Sequence, residues 1–110
     1  MSEKVYVHEF GMGLDVHGGD NTKAACRAVS DAIRHSSLPL LGEIRSQGGE
    51  MVVNVLVGVP DPASVDLDVV KAELPHGEIH VEAVSGGLRK PGGDTIIAVV
   101  HLTVSGRYPD

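Results

Sequence analysis

One stretch near the start of the chain decides how the fold begins: VYVHEFGMGLDVHGGDNTKAACRAVSDAIRH, residues 5–35. Valines alternate with other residues at its beginning, which predicts a first strand over Val5 to Phe10. From Thr22 to His35, small and aliphatic residues recur at helical spacing and charged residues occupy the opposite side, so this segment predicts an amphipathic helix. The glycine-rich residues 11–21 predict a loop that joins the strand to the helix.

The rest of the chain predicts one more helix and three more strands. A nearly continuous apolar run predicts a buried central strand, and the glycine- and serine-containing run before it predicts a connection without regular structure. Strict alternation of apolar and polar residues predicts the third strand, and β-branched residues predict the fourth. In chain order these are the connection 40–50, the strand 51–59, a short helix capped by Asp66 and ending near Leu74, the strand 78–84 and the strand 95–104.

The element order β-α-β-α-β-β predicts an α+β two-layer sandwich with a four-stranded mixed sheet, formed by residues 1–110 as a single domain. Two helices cover one face of such a sheet. Val52, Leu56, Ile97 and Val99 lie on the other side of their strands from the residues expected to face the helices. Because these side chains are apolar, we expect a second copy of the chain to cover them, and therefore a homo-oligomer.

Charge and hydropathy narrow the classes of partner. The net charge of -6 opposes binding to a phosphate backbone, so nucleic acid is not an expected partner. No apolar run reaches the roughly 18 residues that a membrane-spanning helix needs, and the N-terminus lacks the layout of a secretion signal. We therefore expect a cytoplasmic protein that does not bind membranes.

The predicted start of the first helix has the features of a site for a small anionic ligand. Free amide groups at a helix N-terminus attract phosphate or carboxylate, and Thr22, Lys23 and Arg27 add a hydroxyl and two cations on the first turns. Glycines allow a ligand to approach the main chain closely, which makes Gly11, Gly13 and Gly18 candidate ligand-binding residues. The dinucleotide-binding and P-loop patterns are absent, because neither the third glycine nor a Gly-Lys-Ser/Thr triplet stands at the expected place.

Asp15 and His17 are the candidate catalytic residues. Two positions apart on an extended loop, they could act as an acid/base pair or as two ligands of a metal ion. The alternative is that both serve the fold, with the carboxylate and the imidazole bonded to main-chain groups of a glycine-rich turn. The sequence leaves the metal and any cofactor open, since its histidines are scattered and no His-x-x-x-His or Cys-x-x-Cys spacing occurs.

The run Gly11-Met12-Gly13-Leu14-Asp15-Val16-His17-Gly18 resembles the Gly-x-Gly-x-Asp-x-His-Gly signature of a family of small conserved bacterial proteins, also found in plants with a longer N-terminal part. The resemblance extends over almost the whole chain, through the strand end at residues 57–60 and the run at residues 86–88. It implies family membership without implying an activity. It also singles out the glycines, the aspartate and the histidine of the signature as residues to test.

At the level of the fold, the element order is similar to that of the Bacillus-type chorismate mutase fold. Small trimeric deaminases and the repeats of ring-opening amidohydrolases also use that fold, and they place their sites at subunit or repeat boundaries. This resemblance favours a trimer among the possible oligomers. It transfers no mechanism, because no residue-level match accompanies it.

Two functions follow from these features. The first is an enzyme of the hydrolase, lyase or deaminase type that acts on an anionic metabolite, with Asp15 and His17 moving protons. The second is a non-catalytic ligand-binding or assembly protein that forms a homo-oligomer. The sequence does not choose between an enzyme and a binding protein, nor does it identify the ligand.

Overall fold

The computed structural model describes residues 2–34 and 39–110, which form a twisted sheet with helices on one of its faces. A short 3-10 turn over Pro62–Ser64 links the second strand to the third helix. The elements in chain order are β1 (Ser2–Asp15), α1 (Asn21–Ile33), α2 (Pro39–Ser46), β2 (Glu50–Val59), α3 (Leu67–Lys71), β3 (Glu78–Ser85), β4 (Leu88–Arg89) and β5 (Ile96–Tyr108).

The sheet is mixed, as the sequence predicts, and mostly antiparallel. Its strand order is β1-β5-β2-β3, and the short strand β4 pairs with the beginning of β5. β5 runs antiparallel to both of its long neighbours, while β2 and β3 are parallel and are joined through α3. The α+β class is confirmed, but residues 2–34 and 39–110 form five strands, where the sequence predicts four, and three α-helices, where it predicts two.

The first strand is longer than predicted, and the predicted loop over residues 11–15 is wrong. These residues continue β1, because their backbone pairs with β5 from Gly11 opposite Val100 to Asp15 opposite Ile96. Two glycines within five residues are typical of a loop, but here they serve another purpose. A Cβ on Gly11 would lie 2.2 Å from the carbonyl oxygen of Ala28 in α1, so glycine is required where the helix crosses the strand.

Two further segments differ from the sequence prediction. The predicted connection 40–50 contains α2, whose Ile44 is fully buried, while its Gly42 faces open space and so does not interrupt the packing. The segment between the predicted strands 78–84 and 95–104 contains β4, which the sequence does not predict. The predicted helix end at His35 lies outside the described residues.

The hydrophobic core lies between α1 and the helix-facing side of the sheet. α1 contributes small residues, so its backbone approaches β1 closely, and the strands contribute aliphatic residues at every second position. The fully or nearly fully buried core residues include Ala24, Ala25, Ala28, Val29, Ala32, Val53, Val55, Val57, Val59, Ile96, Ala98, Val100 and Leu102.

The opposite face of the sheet is not covered by any helix within residues 2–34 and 39–110. We call it the bare face. Strand register aligns its side chains in rows across the sheet, such as Met12 beside Val99 and Phe10 beside His101. Of the helices in the same two ranges, none has the length and apolar character needed to span a bilayer.

Candidate functional site

Asp15 lies at the end of β1 and holds the turn that leads into α1. Its side chain is almost completely buried, with 4% of the residue exposed. One carboxylate oxygen accepts a hydrogen bond of 2.9 Å from the backbone N–H of Asp20, which closes the turn over residues 16–19. The other lies 3.6 Å from the Arg27 guanidinium. Both oxygens of this predicted catalytic acid are therefore engaged within the protein.

Arg27 bridges α1 to the end of β1. Its guanidinium donates a hydrogen bond to the backbone carbonyl of Leu14 and forms the ion pair with Asp15. The side chain remains 56% exposed, so one side of the guanidinium faces solvent. The structure thus brings together Asp15 and Arg27, which the sequence assigned to different roles.

The turn itself is fastened to the loop before β5. Gly18 donates its backbone N–H to the Asp94 carboxylate at 2.9 Å, and the Thr95 hydroxyl donates to the carbonyl of Val16 at 3.0 Å. Gly18 has φ 106°, in the range that favours glycine. The Gly18 hydrogen bond is the main cause that lowers the pKa of Asp94, and the charges of His17 and Arg89 lower it further.

His17 is exposed beside this junction, close to Asp94. Within the described residues, no hydrogen bond or ion pair joins it to Asp15. The predicted acid/base pair is therefore not assembled in a single chain. Sequence reasoning missed Asp94, which lies 76 residues from Gly18 in the chain, in a loop whose glycines and proline give no sign of the partner.

The start of α1 is capped by a carboxylate of the chain itself. Asp20 is the N-cap residue, and its side chain accepts a hydrogen bond of 3.0 Å from the N–H of Lys23. Thr22 directs its hydroxyl away from this point, accepting from the N–H of Asp66 at 3.0 Å. The Lys23 side chain is exposed. Negative charge that a bound anion would supply is thus already present in Asp20.

Gly11 and Gly13 lie beneath α1, away from this turn. A Cβ on Gly13 would come within 2.3 Å of the Ala28 nitrogen and 2.5 Å of the Ala24 carbonyl oxygen. The helix backbone fills the space beside these glycines, where the sequence predicts a ligand. Packing alone accounts for these two glycines.

The bare face carries the largest exposed apolar side chains of β1 and β5. Phe10 is 67% exposed, and its neighbours along the strand, Met12 and Leu14, alternate with residues that face α1. A contiguous apolar surface of this kind is uncommon on a protein that stays monomeric. By strand register, the exposed apolar residues of this face are Val5, Phe10, Met12, Leu14, Leu56, Leu88 and Val99.

Imidazoles lie at the centre of the bare face. His8 Nδ1 and His101 Nε2 are 3.1 Å apart, and the two rings are stacked with centroids 5.3 Å apart. Phe10 stacks on His101 with centroids 4.9 Å apart. A shallow groove of about 260 Å³ begins beside His101 and runs toward His80. Its lining residues are Asn54, Val55, Leu56, His80, Val81, Glu82, His101 and Thr103.

One end of the bare face is charged. Arg107 donates to both carboxylate oxygens of Glu78, while Glu3 and Glu50 lie 3.9 and 4.0 Å from its guanidinium. His80 also contacts Glu78, at 2.8 Å. The hydrogen bonds from Arg107, and next that from His80, lower the pKa of Glu78 to about 2. The bare face is thus charged at one end, rich in histidine at the centre and apolar at the other end.

A second cavity, of about 300 Å³, lies on the helix side between α1, α2 and the sheet. Its lining is apolar apart from His76. Neither cavity is lined by residues of the predicted site. The lining residues are Ile33, Leu40, Leu41, Met51, Val53, Leu74, Pro75, His76, Leu102 and Val104.

These features define a small α+β protein with one helix-covered and one bare sheet face. The chain belongs to the family described as conserved hypothetical protein (Lin0512_fam), whose model matches residues 5–104. An FtsZ-like protein of unknown function from Nostoc punctiforme PCC 73102, known from a crystal structure, is 32% identical to it. The alignment covers 99% of each chain, with a TM-score of 0.80. No curated protein matches the chain. No specific activity is assigned by the family or by this structural relative.

Proposed function

We propose that the protein is an assembly or binding protein whose copies associate through the bare face of the sheet. The supporting observation is the exposed apolar surface around Phe10, Met12 and Val99, on the side of the sheet that the helices leave open. Burying such a surface is the main favourable contribution to most protein associations. A second copy of the chain is the proposed partner, because homo-oligomers with closed symmetry are the commonest assemblies.

The size of the bare face suits such an interface. Strands lie about 4.8 Å apart and advance about 3.3 Å per residue, so the four long strands present an area on the order of 700 Å². A standard interface buries about 800 Å² on each partner. The whole bare face is therefore close in size to one side of a standard interface.

The distribution of charge also favours self-association at one end of the face. The row that holds Met12 and Val99 and the row that holds Leu14 and Ile97 contain no charged side chain. Two copies that meet there bring no like charges together, although each chain has a net charge of -6. The acidic groups near Arg107 lie at the other end of the sheet, at the edge of such an interface, where solvent can screen them.

One observation supports the alternative that the protein is an enzyme. His17 is exposed beside Asp94 and Arg89, so an imidazole, a carboxylate and a guanidinium are grouped at one loop junction. An anionic metabolite bound there would raise the melting temperature of the protein, and His17→Gln would reduce the shift. A panel of small carboxylates and phosphates tests this. If no member shifts the melting temperature of the wild-type protein, an anion site at this junction is excluded for that panel.

The mass of the protein in solution tests the proposed assembly. We expect the wild-type protein to be oligomeric at micromolar concentration by light scattering, and Val99→Lys to be monomeric because it places a charge in the apolar rows. Val69→Lys is the matched control, since Val69 is 47% exposed on α3 and Val99 is 45% exposed on the bare face. A monomeric wild-type protein, or equal effects of the two lysines, contradicts the proposal.

Four narrower proposals accompany this one. We propose that the glycine signature is characteristic of the family, and that the fold is of the Bacillus chorismate mutase-like type. Relatives of that type place their sites at subunit boundaries and favour a trimer, whereas copies that meet through their bare faces form twofold pairs. The measured mass decides between a trimer and other closed assemblies. We also expect the protein in the cytoplasm.

A further inference from the structure

His8 and His101 are spaced as two ligands of one metal ion. Their facing nitrogens, His8 Nδ1 and His101 Nε2, are 3.1 Å apart. In a tetrahedral site with zinc–nitrogen bonds of about 2.0–2.1 Å, two nitrogen ligands lie about 3.3 Å from each other. We propose that this pair is one half of a transition-metal site, which the same pair from a second copy completes.

The chemistry of the pair selects the class of metal. Imidazole nitrogens suit zinc, copper and nickel, whereas magnesium and calcium prefer oxygen ligands. Phe10 stacks on one side of the His101 ring and so limits its orientation. Phe10 and Leu56 lie beside His101 on the neighbouring strands, so this ring has an apolar side chain on each side along its row. Apolar side chains around a metal site control the access of solvent to it.

The proposal rests on the proposed self-association, because one chain does not supply enough ligands. Among residues 2–34 and 39–110, no group of three or more histidine, cysteine, aspartate or glutamate side chains is placed to hold a metal ion. A structural zinc site needs four ligands. A twofold axis close to His8 and His101 brings two such pairs together and supplies all four. The site is therefore incomplete until the bare faces meet.

Cobalt(II) is the probe for the test, since its visible absorption reports tetrahedral coordination. We expect the wild-type protein to bind one Co²⁺ ion per two chains and to develop tetrahedral absorption bands. His8→Gln and His101→Gln should each weaken binding by at least about 10-fold. His80→Gln is the matched control: it removes another histidine of the same face, one that contacts Glu78 instead. Circular dichroism verifies that all three variants are folded.

Light scattering with EDTA and with added Zn²⁺ separates the two proposals. A protein that is monomeric under every condition contradicts the proposed assembly. A protein that is oligomeric with and without metal, and shows no cobalt bands, contradicts only the metal site. One Co²⁺ per chain, or an equal loss of binding in His80→Gln, also contradicts the shared site. The expected result is Co²⁺ binding that depends on His8 and His101 and an assembly that Zn²⁺ stabilises.

Discussion

The two faces of the sheet are built from alternate residues of the same strands, yet the helices within residues 2–34 and 39–110 cover only one of them. On the helix side, Gly13 allows α1 to lie directly on β1, and the aliphatic residues of β2 and β5 fill the space around it. On the bare side, Met12, which directly precedes Gly13, faces outward and is half exposed. Apolar character alone therefore does not show how a residue is buried. On the bare side, residues 2–34 and 39–110 supply no helix that covers such side chains.

The largest expected effect is on the free energy of unfolding, and it differs between the adjacent residues Gly13 and Met12, which lie on opposite faces. Gly13→Ala should lower the free energy of unfolding by about 3 kcal/mol, because its Cβ meets the α1 backbone, which cannot yield as a side chain would. Met12→Ala should change it by about 0.5 kcal/mol or less in dilute protein. Denaturant unfolding measures both. Gly42→Ala, which meets no atom within 4 Å, is the control and should raise stability by up to about 1 kcal/mol.

The second-largest expected effect, also on stability, tests whether Asp15 stabilises the fold. Asp15→Ala removes a buried acceptor from the Asp20 N–H and the partner of Arg27, so we expect a loss of about 2 kcal/mol of stability. Asp15→Asn keeps an acceptor of similar shape and should lose about half as much. Thermal or denaturant unfolding measures the difference. Unchanged stability in Asp15→Ala would instead favour a role for this carboxylate in binding or catalysis.

The charged end of the bare face should respond to acid. Glu78 has a folded pKa of about 2 against an ordinary 4.5, so its contribution to stability is present above pH 4.5 and is lost as the pH falls toward 2. Arg107→Gln removes the main cause of this lowered pKa. We expect the Glu78 pKa to move back toward 4.5, observed by carboxyl NMR titration, and acid unfolding to begin at a higher pH.

Glu82, which lies on β3 with Glu78, provides a control for the Arg107→Gln titration. Glu82→Gln changes an acidic residue of the same face and should leave the Glu78 titration unaltered. If Arg107→Gln leaves the Glu78 pKa near 2, the guanidinium is not what stabilises the carboxylate.

The smallest effect concerns the two tyrosines at the same end of the sheet. The hydroxyls of Tyr6 and Tyr108 form a hydrogen bond, which is the main cause that raises the pKa of Tyr108 to about 12. Its contribution to stability is present below pH 10 and is lost as the pH rises toward 12. Tyr6→Phe should return the Tyr108 pKa toward 10, as followed by ultraviolet absorbance of the phenolate. A Tyr108 titration that stays near 12 would assign the shift to burial instead.

Much of the helix-covered side could be predicted from sequence, because its signals are local. The spacing of alanines in α1 and the Asp20 cap indicate the helix and its start, and the apolar run of β2 indicates a central strand. The candidate site was less predictable. Asp15 and His17 were paired because they are close in the chain, but the turn is held by Asp94 and Arg27, which reach it from other elements.

The sequence by itself determined the α+β class, the position of α1 and the presence of apolar residues on both faces of the strands, since each depends on a repeat of two or 3.6 residues. Only the tertiary structure decided that residues 11–15 are strand, that their glycines lie under a helix and that His8 meets His101. These facts depend on which distant strands pair and which face the helices cover. Strand pairing and helix coverage arise from packing between segments that are far apart in the chain, so the local periodicity of the sequence does not predict them.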